Sequence, residues 1–239
     1  MTIPLESRSE PAWPDVLLWF DTIDAIVQGL GHSLNNRALA LSATLESLDP
    51  RRPVGQQTAN GLSREAARLT EQLRQLRALP FGIDRESMPL LLRDVLAVAL
   101  QLHQSHSKLG DVPVYLEGAT DAPPVMAPES ALIHATLVTL TALKGFVAPG
   151  GVVRITFSGS EELAEVRFLA QRDPDDAPAP ARAEALIGPT ALATALLGRS
   201  LLQIEQEITD YSSSQTWTLP SLRATRRRER KEAALVAGS

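Results

Sequence analysis

Two runs of apolar residues at helical spacing, separated by a proline-containing break, constrain this chain more than any other feature. Val27, Leu30, Leu34, Ala38, Leu41, Leu45 and Leu48 recur at steps of three and four, which puts them on one stripe of an α-helix. No proline interrupts residues 15–48. Asp49-Pro50-Arg51-Arg52-Pro53 then ends the helix, because proline lacks the backbone N–H and clashes with the preceding turn. Leu62, Ala66, Leu69, Leu73, Leu76 and Leu79 repeat the pattern as far as Pro80. Two long helices with a short connection predict an antiparallel hairpin over residues 15–80. One hairpin alone leaves part of each stripe in water. A second copy of the chain would cover it, so a homodimeric four-helix bundle is expected. Residues 1–14 hold Pro4, Pro11 and Pro14 and read as a flexible lead-in.

The periodicity changes after Phe81-Gly82. Helices are predicted over residues 88–107, 128–146 and 187–197, and strands over 112–116, 152–157, 164–170, 201–209 and 215–219. Pro149-Gly150-Gly151 reads as a turn, and the stretch 172–185, rich in Pro, Ala and Asp, as a loop. Helices alternating with mostly antiparallel strands predict a two-layer α/β sandwich over residues 83–220. The fold class is therefore α+β, a helical hairpin followed by a sandwich. Residues 221–239 form a basic tail with Arg223, Arg226, Arg227, Arg228, Arg230 and Lys231, expected as a short helix or a disordered end.

Composition removes several functions. The absence of cysteine excludes a disulfide framework, a thiolate metal site and a cysteine nucleophile. A net charge of -5 and a pI of 5.4 argue against bulk nucleic-acid binding. No apolar run approaches the roughly 20 residues of a membrane span, and Glu6, Glu10 and Asp15 do not fit a signal peptide. A cytoplasmic protein without membrane contact is the expectation. There is no P-loop, dinucleotide fingerprint or nucleophile elbow. Of the other histidines, His103 and His106 have a metal-compatible i, i+3 spacing but no third ligand nearby. His134 lies in an apolar helix and reads as a hydrogen-bonded core or rim residue. Asp173, Asp175 and Asp176 read as a solvated loop.

The segment Gly29-Leu30-Gly31-His32-Ser33-Leu34-Asn35-Asn36 carries the chemistry. At about 100° per residue, His32 points about 160° away from Leu34, off the apolar stripe. Asn35 and Asn36 fall within about 60° of it on the same face. Two glycines clear its surroundings. An open neutral imidazole with amide neighbours is a nucleophile that can take a phosphoryl group.

His32-Ser33-Leu34-Asn35-Asn36, early in a hairpin helix, resembles the phosphoacceptor box of sensor histidine kinases. Pro124-Val125-Met126-Ala127-Pro128-Glu129 and the following helix resemble the asparagine-box region of the kinase ATP-binding domain. Gly198-Arg199-Ser200-Leu201 and Trp217-Thr218-Leu219-Pro220 resemble its closing strands. The chain departs from that family where nucleotide is bound. Ser33 stands where a carboxylate usually follows the histidine, Thr141 where the metal-holding asparagine falls, and Lys144 where an acid is expected. Gln171-Arg172-Asp173-Pro174-Asp175-Asp176 replaces the adenine-recognising glycine segment, and Ile187-Gly188-Pro189-Thr190-Ala191-Leu192 the glycine-rich lid. Triphosphate binding needs close backbone amides and oxygen ligands for a metal. The resemblance therefore implies the kinase fold without its cofactor, closest to the dimeric histidine phosphotransferases of phosphorelays. It implies response-regulator receiver domains as partners, which supply the magnesium ion, with His32 as phosphoacceptor and Ser33, Asn35 and Asn36 beside it. The alternative is a non-catalytic pseudo-histidine-kinase that acts by binding a protein.

Overall fold

Leucines that cannot be covered within one hairpin dominate the first half of the molecule. The computed structural model describes residues 2–3, 13–49, 51–80, 86–119, 122–147, 150–172 and 187–237. Helix α1 (Trp13–Glu46) and helix α2 (Gln56–Ala78) lie side by side. Arg37 donates to Glu65 at 3.0 Å and Gln72 donates to Ser33, so the two helices run antiparallel. After α1 the backbone N–H of Arg51 bonds the Asp49 carboxylate at 2.9 Å, an Asx-type turn. Helix α2 buries no residue, although Leu62, Leu69, Leu73 and Leu76 lie on it.

The second half is a two-layer sandwich. Strands β1 (Thr2–Ile3), β3 (Val114–Gly118), β5 (Val152–Gly159), β6 (Leu163–Gln171), β7 (Gln203–Ile208) and β8 (Ser212–Pro220) form one sheet in the order β1-β7-β8-β6-β5-β3. Among the described residues, only β3 and β5 pair in parallel. Alternation decides the two faces: Val166 and Phe168 are buried while Glu165 and Arg167 are exposed. The register sets Val166 opposite Trp217, and the Phe168 and Trp217 rings meet at 4.7 Å. Helices α3 (Leu92–His103), α4 (Glu129–Val147) and α5 (Ile187–Leu197) cover the buried face. Gly150, with φ 95°, makes the turn into β5 that other residues rarely adopt.

Several elements differ from the expectation. The helix expected from residue 88 starts at Leu92, because Met88–Leu90 forms β2 and pairs with β4 (Val125–Ala127). An all-apolar run has no periodicity to separate strand from helix, and pairing buries Leu90 and Val125 together. Strand β3 starts two residues later than expected, and α1 starts at Trp13. The tail is helical over Leu222–Ala237 (α6). Most of the loop expected over 172–185 lies outside the described residues. Helix α4 is, among the described residues, the one helix long and apolar enough to cross a membrane by length and composition, and 78% of that window is buried in the core.

Candidate functional site

His32 stands exposed on α1, four residues before Asn36 and therefore one turn away. The Asn36 side-chain amide donates to His32 Nε2 at 3.0 Å. Donation from the amide to Nε2 goes with the tautomer that carries its proton on Nδ1. Asn35 is exposed on the same side. A Cβ built on Gly31 would meet no other atom within 4 Å, so the approach beside the imidazole is open. Ser33 is placed differently from its neighbours. It is half-buried and its Oγ accepts from Gln72 of α2, in the seam between the helices. The structure thus brings His32, Asn35 and Asn36 to one surface and turns Ser33 away from it.

Contacts with the sandwich hold this part of α1 in place. Helix α1 packs on α4 and α5, and its Ile26 and Leu30 are buried in the core, each gaining about 1.5–3 kcal/mol from burial. The Ser107 N–H donates to the Ala25 carbonyl at 3.1 Å. Gly29 lies so close to the turn after α3 that a Cβ there would come within 1.7 Å of the Ser105 carbonyl oxygen. The Trp19 indole N–H donates to His134 Nδ1 at 3.0 Å, so His134 is the buried, hydrogen-bonded residue expected, and Trp19 docks within the chain. Helix α2 is tied to α3 through Gln101, which donates to Glu71 at 2.6 Å and accepts from Arg74 at 3.1 Å. Hydrogen bonds from Arg74 hold the Glu71 carboxyl down at about 2. Sequence reasoning missed Gln72, Gln101 and the Arg37–Glu65 pair. Their partners lie 27 to 39 residues away in the chain, and no local pattern marks them.

The residues that the resemblance aligns with the kinase nucleotide site are engaged otherwise. Thr141 is half-buried and its hydroxyl bonds His103 Nε2 at 3.0 Å. Lys144 is fully buried, its ammonium donating to the Leu109 carbonyl at 3.0 Å, and burial pushes its pKa down to about 8. A cation thus sits where the resemblance calls for an acid. The His103 and His106 rings stack at 5.1 Å, and both are buried. Burial, with the Lys144 charge next, holds His103 well below the usual imidazole range and lowers His106. His106 Nδ1 accepts the Lys108 and Leu109 backbone N–H groups, each at 3.2 Å. No group of three or more metal-ligating side chains occurs among the described residues. Further along α4, Thr139 donates to Gln215 at 3.1 Å, and Gln215 donates to Thr190 of α5 at 2.6 Å. These residues do not fit a nucleotide and its metal ion. No step is routed through either.

No family model matches the chain, and no curated protein matches it. Among solved structures, it is similar to a histidine kinase from Burkholderia phymatum STM815 at 15% identity and TM-score 0.48, covering 88% of this chain and 99% of that one. It is also similar to a bacterial phosphotransferase, at 14% identity and TM-score 0.40 over 83% of this chain and 96% of that one. A third likeness is to the histidine kinase ThkA in complex with the response regulator protein TrrA, at 11% identity and TM-score 0.46. That match covers 81% of this chain and 60% of that one. At these identities and scores the likenesses carry nothing about chemistry, which rests on the residues themselves.

Proposed function

We propose that this chain is a dimeric, ATP-independent histidine phosphotransferase of a cytoplasmic phosphorelay. His32 takes a phosphoryl group from the aspartyl phosphate of one response-regulator receiver domain and passes it to the aspartate of another. The observation that carries this reading is an exposed imidazole bonded to Asn36, in a chain where Thr141 and Lys144, which the resemblance aligns with the nucleotide site, bond His103 and a backbone carbonyl instead. In the transfer, the Nε2 lone pair forms the N–P bond and the acyl P–O bond breaks. The electron pair of that bond leaves with the aspartate carboxylate, and the Nδ1 proton passes to solvent. The Asn36 amide, bonded to that lone pair in the resting chain, releases it as phosphorus arrives and donates instead to a phosphoryl oxygen. No cofactor of its own is needed, and magnesium comes with the receiver. Dimerisation is supported by α2, which carries four leucines and buries no residue.

Incubation with phosphorylated receiver domains from the same genome should label the full chain with acid-labile, base-stable phosphate. His32→Ala should abolish the label with an unchanged circular dichroism spectrum, because an exposed side chain leaves no cavity. Equal labelling of His32→Ala would overturn the assignment. Ser33, turned into the helix seam, favours a second reading. Without an acid–base side chain of this chain beside His32, a pseudo-histidine-kinase could bind a receiver and transfer nothing. A receiver that binds the chain but never labels it would establish that reading instead.

A further inference from the structure

Helix α6 carries six cations against two glutamates, on a chain whose net charge is -5. It is not a loose end. Ser221 caps it, its Oγ accepting from the Ala224 N–H at 3.1 Å and donating to the Glu161 carbonyl at 2.6 Å. The Leu222 N–H donates to the Pro124 carbonyl at 2.7 Å. Arg223 pairs with Glu161 and Arg227 with Glu162, both acids lying in the turn between β5 and β6.

Arg223, Arg226, Arg227 and Arg230 stand at i, i+3, i+4 and i+7 and so share one helical face. That face lines a groove of about 520 Å³ together with Pro123, Pro124, Leu222 and the Glu161 carboxylate that Arg223 holds. Arg226 and Arg230, one turn apart, have no ion-pair partner among the described residues. Like charges at i, i+4 weaken a helix, and an anion between them would relieve that. The same face already takes carboxylates, those of Glu161 and Glu162. Pro123 and Pro124 have no N–H to offer, so with Leu222 they give the groove a part that suits an apolar side chain.

We propose that this groove docks an acidic peptide segment of a partner protein, with an apolar side chain seated on Pro123 and Pro124 and carboxylates on Arg226 and Arg230. Pro123, Pro124 and Leu222 offer a seat to an apolar side chain that a phosphate backbone lacks, which favours a peptide over nucleic acid. The surface is separate from His32, and the proposal stands independently of the phosphotransfer reading.

The test is fluorescence anisotropy with the full chain and a labelled peptide of alternating glutamate and leucine. Binding should saturate and weaken with added salt. The double variant Arg226→Glu/Arg230→Glu should weaken it by about tenfold or more, with helix content and mass unchanged. A matching glutamine–leucine peptide should not bind. Equal binding by the variant, equal binding of the glutamine peptide, or tighter binding of duplex DNA than of the acidic peptide would overturn the proposal.

Discussion

Asn36 gives His32 a direction that an exposed imidazole otherwise lacks. The 3.0 Å bond from its amide to Nε2 restrains a ring that would rotate freely in water. Donated to a phosphoryl oxygen once Nε2 is engaged, such a bond favours the transition state by about 1 kcal/mol. Asn36→Ala should therefore slow phosphoryl transfer about fivefold at unchanged receiver affinity, read by quench-flow labelling with a phosphorylated receiver. The exposure of His32 and its closeness to Asn36 were legible in the sequence, since a turn of helix is all that relates them. Ser33 was not placed by that reasoning. Its orientation follows from Gln72, and the pairing of these two residues depends on how α1 and α2 are set side by side.

At the scale of elements, the two glycines flanking Leu30 do different things. Gly29 faces the Ser105 carbonyl, where an added Cβ would meet backbone at 1.7 Å, while Gly31 has open space around it. Gly29→Ala should cost about 1–3 kcal/mol in urea unfolding, because the α3–β3 connection must move. Gly31→Ala should instead stabilise by about 0.8–1 kcal/mol, the difference in helix propensity. Equal effects would mean that α1 does not lie on the Ser105 turn. The leucines of the hairpin make a second demand. Leu45 is 56% exposed and Leu73 42% exposed, so covering them takes a partner helix. Light scattering should report about twice the 25.8 kDa chain mass. Leu41→Asp, which places a carboxylate in that seam, should dissociate or unfold the assembly at a cost of several kcal/mol. A well-folded dimeric Leu41→Asp would place the contact on another face.

For the molecule as a whole, the buried bases at the junction of α3 and α4 make stability depend on pH. His103 and His106 have folded pKa values below 6.5, so the unfolded chain binds more protons than the folded one as pH falls below that value. Their stabilising contribution is present above pH 6.5 and is lost as pH falls towards the folded values. Lys144 adds a second window of the same sign, between 10.5 unfolded and about 8 folded. The urea midpoint should therefore rise from pH 5.5 to pH 7.5. His103→Phe should flatten that rise. An unchanged slope in His103→Phe would mean that its imidazole is not held neutral by burial.

The sequence by itself determined the elements whose cause is local. Helices α1 and α2 follow from leucine spacing and the prolines after residue 48, and β5, β6 and α5 from alternation or apolar runs bounded by turn residues. It also determined that His32, Asn35 and Asn36 share an exposed face, since helical geometry alone relates them. Tertiary structure decided the rest. Residues 88–90 became a strand because residues 125–127 offered a ladder and a buried neighbour. Lys144 became a buried ammonium because the turn after α3 brings the Leu109 carbonyl to it across 35 positions of chain. Periodicity records which face of an element avoids water. Which distant group meets that face is set only when the layers pack, because the energy of the contact belongs to the pair.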